Sequence, residues 1–168
     1  GILVTERPGR LRLINASGKL QLQPIFGVPQ VVAKGQGGLL DIALHPDFKD
    51  NRFIYMSYAG RGEGGINTEV ARARFDGQRL TDLQVIFRAA PKTSGSNHYG
   101  SRLLFDRHGL LFITLGERYN YRDRAQSVDD HLGTIVRLHD DGRVPSDNPF
   151  LNHADAKPEI YSYGHRNV

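Results

Sequence analysis

The apolar runs of this chain are all short, and that limits the folds open to it. The stretches "GILVTER", "LRLIN", "LLDIALHP", "RFIYMSY", "VARARF", "LQVIFR", "RLLF", "LLFITLG" and "TIVRLH" are rich in Val, Ile, Leu, Phe and Tyr, the side chains that fit a pleated surface. Turn signals separate them at "RPGR", "ASGK", "HPDFKDN", "FDGQ", "DRHG" and "DDGR". The pattern predicts an all-β protein. The one helical expectation is about one turn within "RDRAQSVDDHLG", with Ser127 as its N-cap.

The strands also recur in order. A run at Ile2 to Glu6 returns at Phe53 to Ser57 and at Leu111 to Leu115, and each is followed by a further strand, at Leu11 to Ile14, Val70 to Phe75 and Ile135 to Leu138. Repeats of roughly 50 to 65 residues with about four strands each are characteristic of β-propeller blades, small twisted sheets that bury their faces against neighbouring blades. A sandwich has no reason to repeat in this way. The 168 residues hold about three such units, fewer than the roughly 4 to 8 that close a ring. The opening "GILVTERPGRLRLI" reads as a strand already under way, and "GHRNV" ends directly after an apolar stretch. Residues 1 to 168 are therefore read as one partial β-propeller domain, truncated at both ends. Three blades leave open sheet edges, through which self-association is expected.

Composition narrows the chemistry. There is no cysteine, so disulfides, thiolate catalysis and zinc-thiolate sites are excluded. The formal charge of +4 comes from 22 basic residues scattered among 18 acidic ones, with no basic helix or aromatic binding motif, which argues against a nucleic-acid partner. No apolar stretch approaches the roughly 20 residues of a membrane span. The histidines other than His98 show no metal-ligand spacing, and "DDGRVPSDNPF" departs from a calcium-binding EF-hand loop and reads as a structural turn. The loop "GQGG" lacks the preceding strand and following helix of a dinucleotide fingerprint. "RYNYRDR" is read either as the lining of an entrance or as ordinary surface.

Four segments then stand out together: "GQGGLLDIALHPDFKDNRFIYMSY", "SNHYGSRLLFDRHGLLFITLGE", "DDGRVPSDNPF" and "PEIYSYGHRN". In this order and spacing they resemble the soluble glucose/sorbosone dehydrogenases, aldose sugar dehydrogenases that use pyrroloquinoline quinone (PQQ). The resemblance covers nearly the whole chain and implies the N-terminal half of a six-bladed propeller. It implies oxidation of an aldose at C1 to a lactone, with an external electron acceptor, in the periplasm or outside the cell. Calcium is implied as a second cofactor, with its ligands outside this chain.

The resemblance also assigns residues. His98 is the general base that takes the anomeric hydroxyl proton while hydride passes to the quinone, a task for which imidazole, with its ordinary pKa of about 6.5, is suited. Gly100 and Ser101 are read as leaving room for a ligand beside it. Glu117 is the carboxylate that orients His98, by the logic of a catalytic triad. Arg166 stabilises charge on the quinone, and Asn167 and Gln36 hold the cofactor, with Gly35, Gly37 and Gly38 letting backbone pass close to it. Val168 stands where the family usually has proline. A propeller that serves only as a binding module is the alternative, and it is expected to have lost the base or the arginine. His98, Gln36 and Arg166 are therefore expected to converge at one end of the sheets.

Overall fold

The computed structural model describes residues 1–168. It contains ten strands in three antiparallel sheets. Strands β1 (Ile2–Glu6) and β2 (Arg10–Ile14) form a two-stranded ladder. The second sheet is a meander of β3 (Leu39–Leu44), β4 (Phe53–Gly62), β5 (Gly65–Phe75) and β6 (Leu80–Arg88). The third is a meander of β7 (Gly100–Phe105), β8 (Leu111–Leu115), β9 (Ile135–Leu138) and β10 (Ile160–Ser162).

The repeat anticipated from the sequence is present in the two complete sheets. The runs at Phe53 and Leu111 are both second strands, and those at Val70 and Ile135 both belong to third strands. The first unit is incomplete, since β2 is extended only by isolated bridges from Leu11 to Ile25 and from Ile14 to Leu20. The result is a partial β-propeller with two full blades and part of a third.

Strand pleating explains how one sheet serves two cores. Along β4, Ile54, Met56 and Tyr58 face the first ladder, where they pack with Leu11, Ile25 and Leu39. Tyr55 points the other way, joining Val70 and Phe87 against Leu111, Ile113, Leu115, Val136, Leu138 and Ile160 of the third sheet. The middle sheet is thus buried on both faces, as blades require. Burial pushes the Tyr55 hydroxyl up to about 12, and it donates to the carbonyl of Asp140 at 2.9 Å.

Two helical details differ from expectation. The "HPDFKDN" turn contains one α-helical turn at Phe48–Asn51, which its few residues did not announce. The helical segment after β8 is a 3-10 turn at Arg122–Gln126, which Ser127 follows as C-cap rather than opening as N-cap. The Ser127 hydroxyl instead donates to Asp129, an exposed local turn that competes with capping.

The outer part of the third sheet is fastened by a buried polar link. His131 accepts from the Ala90 amide on Nδ1 at 2.9 Å, so its proton sits on Nε2 and is donated to Glu159 Oε1 at 2.8 Å. Burial alone would raise the Glu159 carboxyl, but the hydrogen bond it accepts from His131 holds it below the usual range. A carboxyl so depressed contributes stability above its unfolded value, and that contribution is lost as pH falls through its folded value.

Two outcomes follow. In Glu159→Gln, the stability deficit should be full at about pH 7 and should shrink as pH falls below the ordinary glutamate value of about 4.3, as read by denaturant midpoints across that range. Ile113→Ala, at a fully buried position between sheets, should cost about 2 to 5 kcal/mol in urea unfolding.

Candidate functional site

The site begins with strand register. Gly100 at the start of β7 pairs with Leu115 at the end of β8, and continuing that register two residues outward sets His98 opposite Glu117. The side chains meet there, with His98 Nδ1 2.5 Å from Glu117 Oε1. Glu117 is 1% exposed, so its carboxylate is aimed into the protein while the imidazole sits at the rim. An ionised carboxylate accepts only, which places the imidazole proton on Nδ1 and leaves a lone pair on Nε2.

The other side chains reach the same rim by two routes. Loop 33–38 precedes β3, and its Gln36 amide N–H donates to the Ser96 carbonyl at 2.9 Å. Its side-chain oxygen accepts from the His98 N–H at 2.8 Å. The C-terminal segment leaves β10 and crosses the strand ends toward β7. Along the way His165 N–H donates to Gly133 O, Arg166 O accepts from Glu117 N–H, and Asn167 Oδ1 accepts from Gly100 N–H, each at 2.9 Å. Thr114 completes the line by donating to Val168 O at 2.9 Å.

The structure therefore brings together His98, Glu117, Gln36, Arg166 and Asn167. The two amides are oriented by what they bond. Each oxygen is engaged by a backbone N–H, so each NH2 group is left to face outward without a partner in the chain. The Arg166 guanidinium is 75% exposed, and its Nε lies 3.9 Å from Glu117 Oε1, an ion pair loose enough to leave most of its donors free. The rim thus offers N–H donors and one basic nitrogen. Glu117 Oε2 is buried there without a hydrogen-bond partner.

The glycines of this loop also have a packing role. A Cβ on Gly37 would stand 2.8 Å from the Tyr99 ring, on Gly35 2.6 Å from Ser96 Oγ, and on Gly38 2.1 Å from Arg7 O. They let loop 33–38 pack against loop 93–99 and Arg7. Gly100 (φ 63°) and Ser101 (φ 80°) form a bulge that bends β7, and both border a cavity shared with Thr5, Arg7, Asp41 and Arg102.

Three residues escaped the sequence reading. Arg118 is fully buried under the loop that carries His98, so "RYNYRDR" is not all entrance or surface. Burial lowers its pKa. Tyr119 lies edge-to-face on the His98 ring, 5.2 Å between centroids, and lines a small recess with Glu117, Arg122 and Arg166. Arg7 donates to the carbonyls of Gly35 and Gly37, holding the Gln36 loop. The available signal was adjacency: Arg118 and Tyr119 directly follow Glu117, and both have left-handed backbone, at φ 62° and 69°.

Comparison with known proteins finds relatives in both sequence and fold. The chain is 48% identical, over 99% of its length, to aldose sugar dehydrogenase YliI of Escherichia coli, and it covers 45% of that protein. It superposes on a crystal structure of a glucose dehydrogenase with TM-score 0.95 and 50% identity, covering 99% of this chain and 49% of that one. It also matches the PQQ-bound form of an aldose sugar dehydrogenase from Streptomyces coelicolor, with TM-score 0.82 and 30% identity over 99% of this chain and 48% of that one. The chain thus spans about half the length of these relatives. The glucose/sorbosone dehydrogenase family description matches residues 1–168, and the chain belongs to that family.

Proposed function

We propose that the protein containing this chain oxidises aldose sugars at C1 to lactones with PQQ as cofactor. The observation that carries this reading is the His98–Glu117 bond, which leaves the Nε2 lone pair of a rim histidine free among outward N–H donors. That donor set fits an anionic, oxygen-rich cofactor, and PQQ carries carboxylates and an ortho-quinone. A relative with PQQ bound shares the fold, which supports the choice.

Gln36 and Asn167 hold cofactor oxygens through their free NH2 groups, and Arg166 holds an oxygen that gains negative charge during the reaction. PQQ, when bound, supplies an electron-poor quinone able to accept a hydride. His98 Nε2 takes the proton from the anomeric hydroxyl as the C1–H bond breaks, and the ring oxygen and carbonyl of a lactone remain. Glu117 keeps the Nδ1 proton in place and stabilises the imidazolium that results. Tyr119, against one edge of the ring, limits its rotation.

The remaining parts of the reading rest on family membership. Calcium is assigned no ligand in this chain, an external acceptor takes the electrons onward, and the protein works in the periplasm or outside the cell. No helix here is long and apolar enough to cross a membrane. Because the relatives are about twice as long, the isolated 168 residues are expected to lack activity and to associate through open sheet edges. A binding module would have no need for a base whose tautomer is fixed by a buried carboxylate, which favours the enzyme.

His98→Gln in the full-length protein should retain PQQ binding while quinone reduction by an aldose slows by at least about 100-fold. Stopped-flow absorbance reads this directly, and an unchanged rate would remove His98 from the chemistry. Arg166→Lys keeps the charge but loses the planar fork, and should weaken both PQQ affinity, by titration, and the reduction rate. If the wild-type protein neither binds PQQ nor oxidises any aldose, the reading fails as a whole.

A further inference from the structure

Arg118 makes an unusual set of contacts. It is fully buried, yet no carboxylate pairs with it. Its Nε donates to Thr93 Oγ1 at 3.2 Å, its two terminal nitrogens donate to the carbonyls of Asn97 and Gly95, and its guanidinium carbon lies 3.5 Å from the Tyr99 ring centroid. Burying a charge without a counter-ion is costly, and neutral carbonyls and a ring face offset that only in part. Such an arrangement persists where the carbonyls need holding.

The carbonyl of Asn97 belongs to the peptide unit whose N–H is that of His98. One end of this plane is held by Arg118, and the other donates to Gln36 Oε1 at 2.8 Å. His98 itself has φ 51°, a left-handed conformation that is unfavourable for a non-glycine residue. Gly116 completes the socket, since a Cβ there would stand 2.1 Å from the His98 carbonyl oxygen. Consecutive residues therefore divide the work: Glu117 fixes the imidazole ring, and Arg118 fixes the backbone from which it projects.

Building on the reading of His98 as base, we infer that Arg118 is a positioning residue for the site. By clamping the Asn97–His98 peptide it sets both the direction of the imidazole and the amide orientation of Gln36. Lysine cannot reproduce this, because one ammonium cannot reach three acceptors spread along a planar fork.

The test uses Arg118→Lys in the full-length protein. Its first readout needs neither cofactor nor substrate: the NMR resonance of the His98 proton shared between Nδ1 and Glu117, identified by its loss in His98→Gln. Arg118→Lys should move or broaden that resonance while the unfolding transition stays cooperative. At saturating PQQ, its rate of quinone reduction should fall by about 100-fold, the scale expected for misplacement of about 1 Å. In the His98→Gln background the same substitution should cost almost nothing further, because it acts through His98. An unmoved resonance, or an equal loss in both backgrounds, would overturn the inference. Should Arg118→Lys fail to fold, Thr93→Val, which removes the Nε acceptor and leaves the two carbonyl acceptors of Arg118 in place, should shift the resonance in the same way, and an unmoved resonance there would likewise overturn it. If no aldose is oxidised by the wild type, the reading of function falls while the resonance still decides the role of Arg118.

Discussion

The antiparallel register of β7 and β8 is the constraint on which the site rests. With Gly100 opposite Leu115, the two loops beyond the ladder are aligned residue for residue, and a histidine on one must face a carboxylate on the other. A slip by one residue would turn Glu117 to the opposite face and strand a buried charge. The bulge at Gly100–Ser101 makes the alignment possible at the very edge, where regular pairing ends. Polar ties from the neighbouring sheet fix that bulge: Ser57 Oγ donates to Ser101 O at 2.6 Å, and Thr68 Oγ1 donates to Tyr99 O at 2.9 Å. The second sheet therefore sets the position of a site it hardly contributes to.

Backbone in unfavourable conformations is concentrated here. Of the six non-glycine residues with positive φ, four are His98, Ser101, Arg118 and Tyr119. His98 and Arg118 are held by side-chain bonds, Ser101 by burial, and Tyr119 by its ring against His98. Rigid donors that need not reorient during a reaction are more effective than mobile ones, since the reorganisation has been done in folding. The cost lies in the rest of the molecule, in two apolar cores that brace the middle sheet on both faces.

Much of this was legible in the sequence. The lengths of the apolar runs and their spacing led to two full blades, and the equivalence of the Phe53 and Leu111 runs was visible because both pack as second strands. The meeting of His98, Gln36 and Arg166 followed from family resemblance, since nothing local in "GHRN" tells that it crosses three strand ends. Arg118 was hidden for a physical reason. Arginine is usually solvated, and only its three-dimensional setting reveals carbonyls and a ring face around it. The packing of the loop 33–38 glycines against Ser96, Tyr99 and Arg7 was not legible, because a glycine reports close approach without naming the approaching group. Ser127 was misplaced because the helical turn forms before it rather than after it, and its hydroxyl is engaged in a local turn with Asp129.

The C-terminal strip has a consequence for how the molecule comes into being. Asn167 bonds to Gly100 across 67 positions, and Gln36 bonds to His98 across 62, whereas each meander is built from neighbouring strands. Loop closure over such distances is entropically slow, so the blades assemble before the rim does. As the chain emerges during synthesis, the His98–Glu117 pair is complete some fifty residues before Arg166 and Asn167 arrive. Two of the rim's outward donors, Arg166 and Asn167, are thus missing while the first two sheets take shape, and the loop that carries His98 must hold its fold without them.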